Sequence, residues 1–338
     1  MIDPSFTPLP LGEGLGVRAR LFRKLRVSLT RSCNFACVYC AADGKAVVDP
    51  QVTQPEKFLR WIDQILQVQP IHKIRLTGGE PTLYPYLVQL VAEIKKKFPV
   101  EIHLTTNGHR LGALASQLSD AGLDGVNISL DAIEPDAFKA MGGRNYAAVI
   151  QGVHDAVDAG LEVKINTTLM AEMNDNQILP LLDFAYGLGS RYPGTSLATE
   201  GRAANHGIVV RFLELMAMGH LHGSAGRRLV TTEQILAVIR RRHEITALGR
   251  KDSDTAGYYR LERGQIFGII ANSSAPFCAD CDRLRLDALG RVYGCLSNAN
   301  GFALEGAAET ATVLSQAMAL KQKQQFTGSE LKMREVGG

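Results

Sequence analysis

Six cysteines stand in the chain, in two groups of three: Cys33, Cys37 and Cys40, then Cys278, Cys281 and Cys295. The first group reads C-x3-C-x2-C and the second C-x2-C-x13-C, with more than half the chain between them. A disulfide framework suits small secreted domains and would scatter its cysteines, so tight clusters point to metal first. Three thiolates can ligate three irons of a 4Fe-4S cubane and leave the fourth iron open to a small molecule. The competing reading is structural zinc, which normally takes four protein ligands. No histidine lies in or immediately beside the first group, the nearest being His72. The last histidine is His243, so zinc at the second group would need Asp280 or Asp282.

Other residues of the right type lie close by. Arg283 and Arg285 alternate directly after Cys281, and on an extended strand they would point the same way. Two guanidinium forks on one face suit a polyphosphate or a carboxylate. The alternative is a solvated strand face with charges paired to Asp280, Asp282 or Asp287. The run Thr77-Gly78-Gly79-Glu80-Pro81 lets a backbone approach a ligand closely and offers Glu80 as an acceptor for an ammonium group. Read alone, it is equally a tight strand-to-helix turn.

These residues need elements to hold them. Short β-rich runs at 25–29, 73–77, 101–105, 125–130, 162–169 and 208–213 alternate with amphipathic helical stretches at 56–68, 86–97, 112–121, 146–159 and 177–188. That alternation predicts a parallel sheet with helices over it. Six such units are two short of a closed eight-fold barrel, so the expected fold is α/β, a partial (β/α)6 TIM-type barrel, with a doubly wound sheet as the alternative. Both Cys33 and Gly79 follow strands, where barrel enzymes build their sites. The small and polar run 189–206 predicts a surface loop. Beyond it, 258–261 and 265–270 predict a hairpin and 303–320 a helix. The expected division is a flexible segment at 1–22, the barrel at 23–243, and a smaller C-terminal α+β cluster-binding subdomain at 244–338 that ends in Gly337-Gly338.

The whole chain has 338 residues, 46% of them hydrophobic, enough for one large core or a core with a satellite. Its net charge of +3 does not argue for a nucleic acid polymer or a membrane surface, but allows a local basic pocket for an anion. No apolar run is long enough to span a bilayer, and the first twenty residues lack the basic start and apolar run of a signal peptide, so a cytoplasmic protein is expected.

Cys33-x3-Cys37-x2-Cys40, with Tyr39 before the last cysteine, resembles the signature of the radical S-adenosylmethionine superfamily. Adding the Gly-Gly-Glu-Pro run, the second triad, Arg283-x-Arg285 and the terminal Gly-Gly, the stretch from about residue 23 to 338 resembles the molybdenum cofactor biosynthesis protein A family of GTP 3′,8-cyclases. The resemblance implies two 4Fe-4S clusters. The first binds S-adenosylmethionine and cleaves its sulfonium with one electron, and the second holds the guanine of GTP. It implies cofactor contacts at Tyr39, Gly79, Ser129 and Met216, and substrate contacts at Arg26, Arg75, Thr105, Lys164, Arg283, Leu284 and Arg285. No catalytic acid or base is singled out. Further implications are GTP as substrate, an electron donor of flavodoxin or ferredoxin type, and a cyclic pyranopterin monophosphate synthase acting next. A homodimer is compatible with it. The chain departs from the family at Ala41-Ala42-Asp43, where Met-Pro is frequent, and in the length of the 189–206 loop. Two other readings stay open. One is a related radical enzyme that modifies a peptide, with the second cluster as electron relay, although such enzymes usually carry more C-terminal cysteines. The other is a non-catalytic zinc or cluster protein.

Overall fold

A computed structural model describes residues 21–41, 44–191, 208–322 and 324–337. Most of the segment expected to be flexible, 1–20, and most of the expected surface loop, 192–206, lie outside the described residues.

Six parallel strands carry the first two-thirds of the chain: β1 (Lys24–Ser28), β2 (Lys73–Thr77), β3 (Glu101–Thr106), β4 (Gly125–Ser129), β5 (Glu162–Thr168) and β6 (Val209–Leu213). Helices α1 (Pro55–Leu66), α2 (Leu87–Lys97), α3 (Leu111–Asp120), α4 (Pro135–Ala140), α5 (Tyr146–Asp158) and α6 (Ile178–Arg191) connect them. After β6 come α7 (Thr232–Arg240), β7 (Ile245–Gly249), β8 (Gly257–Leu261), β9 (Ile266–Ile270), β10 (Arg283–Leu286), β11 (Arg291–Tyr293), β12 (Phe302–Ala303), α8 (Thr310–Ala319) and α9 (Met333–Val336).

Parallel strands covered on both faces usually read as continuous apolar runs. These alternate instead. Leu25 and Val27, Ile74 and Leu76, and Ile102 and Leu104 are completely buried against the helices, while Arg26, Arg75, Thr105, Asn166 and Arg211 line a cavity on the other face. The sequence therefore builds an apolar layer behind the sheet and a polar lumen in front of it. The helices supply the matching face: α1 starts with Pro55, whose fixed φ suits the first helical position, and turns Phe58, Trp61, Ile62 and Ile65 into the core.

All twelve strands form one sheet in the order β12-β11-β10-β1-β2-β3-β4-β5-β6-β9-β8-β7. The six expected units are present, and the β8–β9 hairpin forms as expected. Two further parallel strands flank them, β10 on β1 and β9 on β6. Among the described residues the sheet does not close, because β12 and β7 remain its two edges. It does curl. Arg26 on β1 and Arg211 on β6 are five strands apart, about 24 Å in a flat sheet, yet both line one cavity and their charges act on each other. The result is a partial barrel with a C-terminal region hydrogen-bonded onto both its flanks. The helix expected over 303–320 is shorter: Phe302 and Ala303 pair with Val292 and Arg291 in the sheet, and α8 begins only at Thr310.

Candidate functional site

The first cysteine loop leaves β1 and is pinned from two sides. Cys33 N–H donates to the Val47 carbonyl at 2.8 Å and Val47 N–H returns the bond at 2.9 Å. On the other side Gly79 N–H donates to Thr30 O and Glu80 N–H to Ser32 O, each at 2.7 Å. A Cβ on Gly79 would stand 2.3 Å from the Ser32 carbonyl oxygen, so the glycine is required for this close approach. Glu80 is buried and accepts from Thr82 N at 3.0 Å, Thr82 Oγ1 and Thr106 Oγ1 at 2.6 Å each, and Asn107 N at 2.7 Å. Its carboxylate thus clamps the loop to the end of β3, the turn-forming role that stood as the alternative to ammonium binding. Tyr39 Oη donates to Asp131 Oδ2 at 2.8 Å, and Asp131 Oδ1 accepts from Thr168 N at 2.9 Å. Burial pushes the Asp131 carboxyl up to about 6.

Burial also pushes the Cys33 thiol up to about 11 and raises Cys37 and Cys40. Each of Cys33 and Cys37 feels the charge of other members of the triad, which places the three side by side. At Cys40 the charge and backbone N–H of Arg334, the second residue of α9, act against the effect of burial.

The second triad gathers in the same way, with Cys278 raised by burial and by Cys295 and Cys281. Cys281 differs. Burial opposes its ionisation, but Arg283 and Lys321 overcome this and bring it down to about 6. Lys321 Nζ lies 3.1 Å from the Cys281 sulfur. None of the six cysteines forms a disulfide. Among the described residues, no three His, Cys, Asp or Glu side chains converge closely enough to hold a single metal ion. A cubane needs no such convergence, since each cysteine takes a different iron. Two sets of three thiols, each partly buried and each facing one shared cavity, fit the two implied clusters.

That cavity, about 260 Å³, is lined by both cysteine triads. Of the residues singled out in the sequence, Tyr39, Gly79, Ser129, Met216, Arg26, Arg75, Thr105, Arg283 and Arg285 line it. Lys164 lies instead on a second cavity of about 390 Å³, which adjoins the first, since Arg26, Arg75, Arg211 and Arg283 line both. Leu284 does not face the lumen. Its side chain is completely buried in the apolar layer behind the sheet, as strand alternation between Arg283 and Arg285 requires, leaving only its main chain for any ligand.

The cations of the lumen are crowded. Desolvation and the charges of Arg285, Arg75, Arg283 and Arg211 hold Arg26 well below its ordinary value. Desolvation, with Arg211, brings Arg75 down to about 9, and desolvation, with Arg283, brings Arg285 down to about 10. Desolvation outweighs the neighbouring Glu162 at Lys164 and brings it down to about 8. Positive charge held this way is under-compensated and suits a polyanion.

Three cations that line the first cavity escape the sequence reading: Arg211, Lys321 and Arg334. Arg211 donates to Asn166 Oδ1 at 2.9 Å and Asn127 Oδ1 at 2.8 Å, which fixes its guanidinium across three strands. Its one signal is a lone charge in the otherwise apolar run Val209–Leu213. Lys321 has no such signal. The C-terminal tail also enters the site. Gly337, at φ +68°, sits where a Cβ would be 2.3 Å from Thr77 Cγ2, and its carbonyl accepts a hydrogen bond from Arg285, as does Val336 O at 3.3 Å. Gly338 lies outside the described residues.

Comparison with known proteins agrees with this geometry. Residues 27–185 match the model of the Radical SAM superfamily, and residues 208–327 match that of Molybdenum Cofactor Synthesis C. A solved structure of Streptococcus suis SuiB bound to S-adenosylmethionine has a similar fold, with a TM-score of 0.58 at 13% identity, covering 86% of this chain and 65% of that longer one. The class is therefore that of radical S-adenosylmethionine enzymes with a second, C-terminal cysteine triad. Relatives named GTP 3′,8-cyclase are 34% identical over 295 residues in Staphylococcus haemolyticus, covering 84% of this chain and 81% of the relative, and 36% identical over 285 residues in Streptomyces coelicolor, covering 82% and 78%. The chain belongs to the GTP 3′,8-cyclase family.

Proposed function

We infer that this chain converts GTP to (8S)-3′,8-cyclo-7,8-dihydro-GTP with S-adenosylmethionine and a reductant, the first step of molybdenum cofactor biosynthesis. The observation that carries the reading is one cavity lined by both cysteine triads and by a set of under-compensated cations. When loaded, the clusters supply the electron that cleaves S-adenosylmethionine and an open iron for the substrate base.

The chain's own residues bind and orient. Gly79 offers backbone at van der Waals distance from the first cluster loop, and Tyr39, held by Asp131, closes the same corner. Ser129 and Met216 line the wall beside it. Arg26, Arg75, Arg211, Arg283 and Arg285 take the triphosphate, with Lys164 at the far end of the lumen. Thr105, bonded to Asn127 at 3.4 Å, presents a hydroxyl at the lumen wall. Holding both reactants in one water-poor cavity supplies the proximity that joining a ribose carbon to its own base requires.

The 23–243 stretch is the unit for S-adenosylmethionine, and 244–338 carries the second triad and much of the substrate site. An electron donor of flavodoxin or ferredoxin type supplies the reductant, and a cyclic pyranopterin monophosphate synthase consumes the product. A cytoplasmic location fits, and no helix among the described residues is long and apolar enough to cross a membrane.

The test is anaerobic reconstitution with iron and sulfide, followed by S-adenosylmethionine, dithionite and GTP. The expected products are 5′-deoxyadenosine and cyclised GTP, with about eight irons per chain. Deoxyadenosine that forms without any change to GTP overturns the reading.

A further inference from the structure

The Cys281 sulfur has a cation in direct contact. Lys321 follows the C-terminal end of α8 and is 8% exposed, its Nζ 3.1 Å from that sulfur and 5.4 Å from the centre of the Phe22 ring. It lines the same cavity as the triad. Besides desolvation, the charges acting on it are Cys281, Cys295 and Arg283. The first triad has acidic neighbours instead: Glu80 acts on Cys33 and Asp131 on Cys37, while at Cys40 the charge of Arg334 outweighs that of Glu335. The two triads therefore share a ligand count but not an electrostatic environment.

We propose that Lys321 is a positioning residue for the second cluster: it donates a charge-assisted hydrogen bond to the Cys281 sulfur and holds that cluster at a more positive reduction potential than it would otherwise have. The inference rests on the reading of Cys278, Cys281 and Cys295 as cluster ligands. Hydrogen bonds to sulfur and nearby positive charge both stabilise the reduced, more negative cluster, so removing the lysine lowers the potential.

The test uses the full chain with Cys33→Ala, Cys37→Ala and Cys40→Ala, which leaves the second triad alone. It is reconstituted anaerobically, its iron counted, and its cluster titrated by EPR-monitored reduction, with and without Lys321→Gln or Lys321→Arg. Circular dichroism checks the fold, and titration of both signals in the six-cysteine chain stands in if the triple variant does not fold. About four irons are expected in each form. Lys321→Gln should titrate at a more negative potential, and Lys321→Arg, which keeps a charged donor, should lie close to the parent. Loss of iron in Lys321→Gln that Lys321→Arg retains also supports positioning. Equal potentials in parent and Lys321→Gln overturn the proposal and leave the cluster reading intact, as does loss of iron in both variants. A folded triple-alanine chain that binds no iron overturns the cluster reading, and the role of Lys321 falls with it.

Discussion

Arg75 shows what the lumen gives up for its substrate. Its charge lies among Arg26, Arg211 and Arg283, and in the free protein desolvation and like charge both act against it. A triphosphate reverses that balance, because each charge-assisted hydrogen bond contributes roughly 1.5–3 kcal/mol. Arg75→Met should therefore weaken GTP binding by about 10- to 100-fold in calorimetry and leave guanosine binding and the iron count unchanged. The same variant should unfold at a temperature no lower than the parent, because it removes a repelled charge from a desolvated site. Unchanged GTP affinity, or a lowered melting temperature at unchanged affinity, would make Arg75 a structural residue. Arg285 is less suited to this experiment, since its donor also holds the carbonyl of Gly337, and removing it releases the tail as well.

At the scale of elements, the turn after β2 matters more for its backbone than for its acid. Gly79 touches the main chain of the Cys33 loop, with Ser32 O and Arg31 O 2.3 and 2.7 Å from the position of an added Cβ. Those are backbone atoms and cannot swing aside, so Gly79→Ala must move the loop. The expected result is about four irons in place of eight, with the second cluster and its GTP affinity retained. Eight irons and undiminished S-adenosylmethionine turnover would show that the loop can shift without loss. The helices and strands on either side of this turn were legible because β1 to β6 repeat a local unit whose periodicity switches from two to 3.6. The partners of the flanking strands were not. β10 pairs with β1 across most of the chain's length, and β9 joins β6 in parallel while turning antiparallel to β8. Nothing in a short window records which edge a strand will meet. The helix expected over 303–320 starts late for the same reason, because Ala303 is taken by β11 and the helix begins only at Thr310.

For the molecule as a whole, both cysteine triads could be read from spacing, since metal ligands cluster in sequence. Most of the lumen's cations could be assigned only through resemblance, because they come from different strands and meet only when the sheet curls. Lys164 carries that meeting into a measurable pH effect. It stands between Glu162, to which it donates a hydrogen bond, and the charges of Arg75 and Arg211, while His103 lies 3.9 Å from Glu162. Desolvation has brought Lys164 down from the ordinary lysine value of 10.5 to about 8. With the folded value depressed, stability associated with this group is lower below pH 8 and rises as pH climbs toward 10.5. Binding has the opposite sign. A triphosphate favours the ammonium form and raises its pKa, so the complex holds more protons than the free protein, and affinity falls as pH rises through 8. At pH 8.5 a group near 8 is about three-quarters neutral, and GTP should take up roughly 0.7 proton on binding, against about 0.1 at pH 7. Phosphate ionises near 6, so its own titration is complete at the higher pH. Calorimetry in two buffers of different ionisation enthalpy reads this uptake directly. Lys164→Met should remove most of it and leave a weaker affinity, the small uptake that remains at pH 8.5 belonging to Arg75, held at about 9. An uptake that survives undiminished in Lys164→Met would assign the proton to another lumen cation.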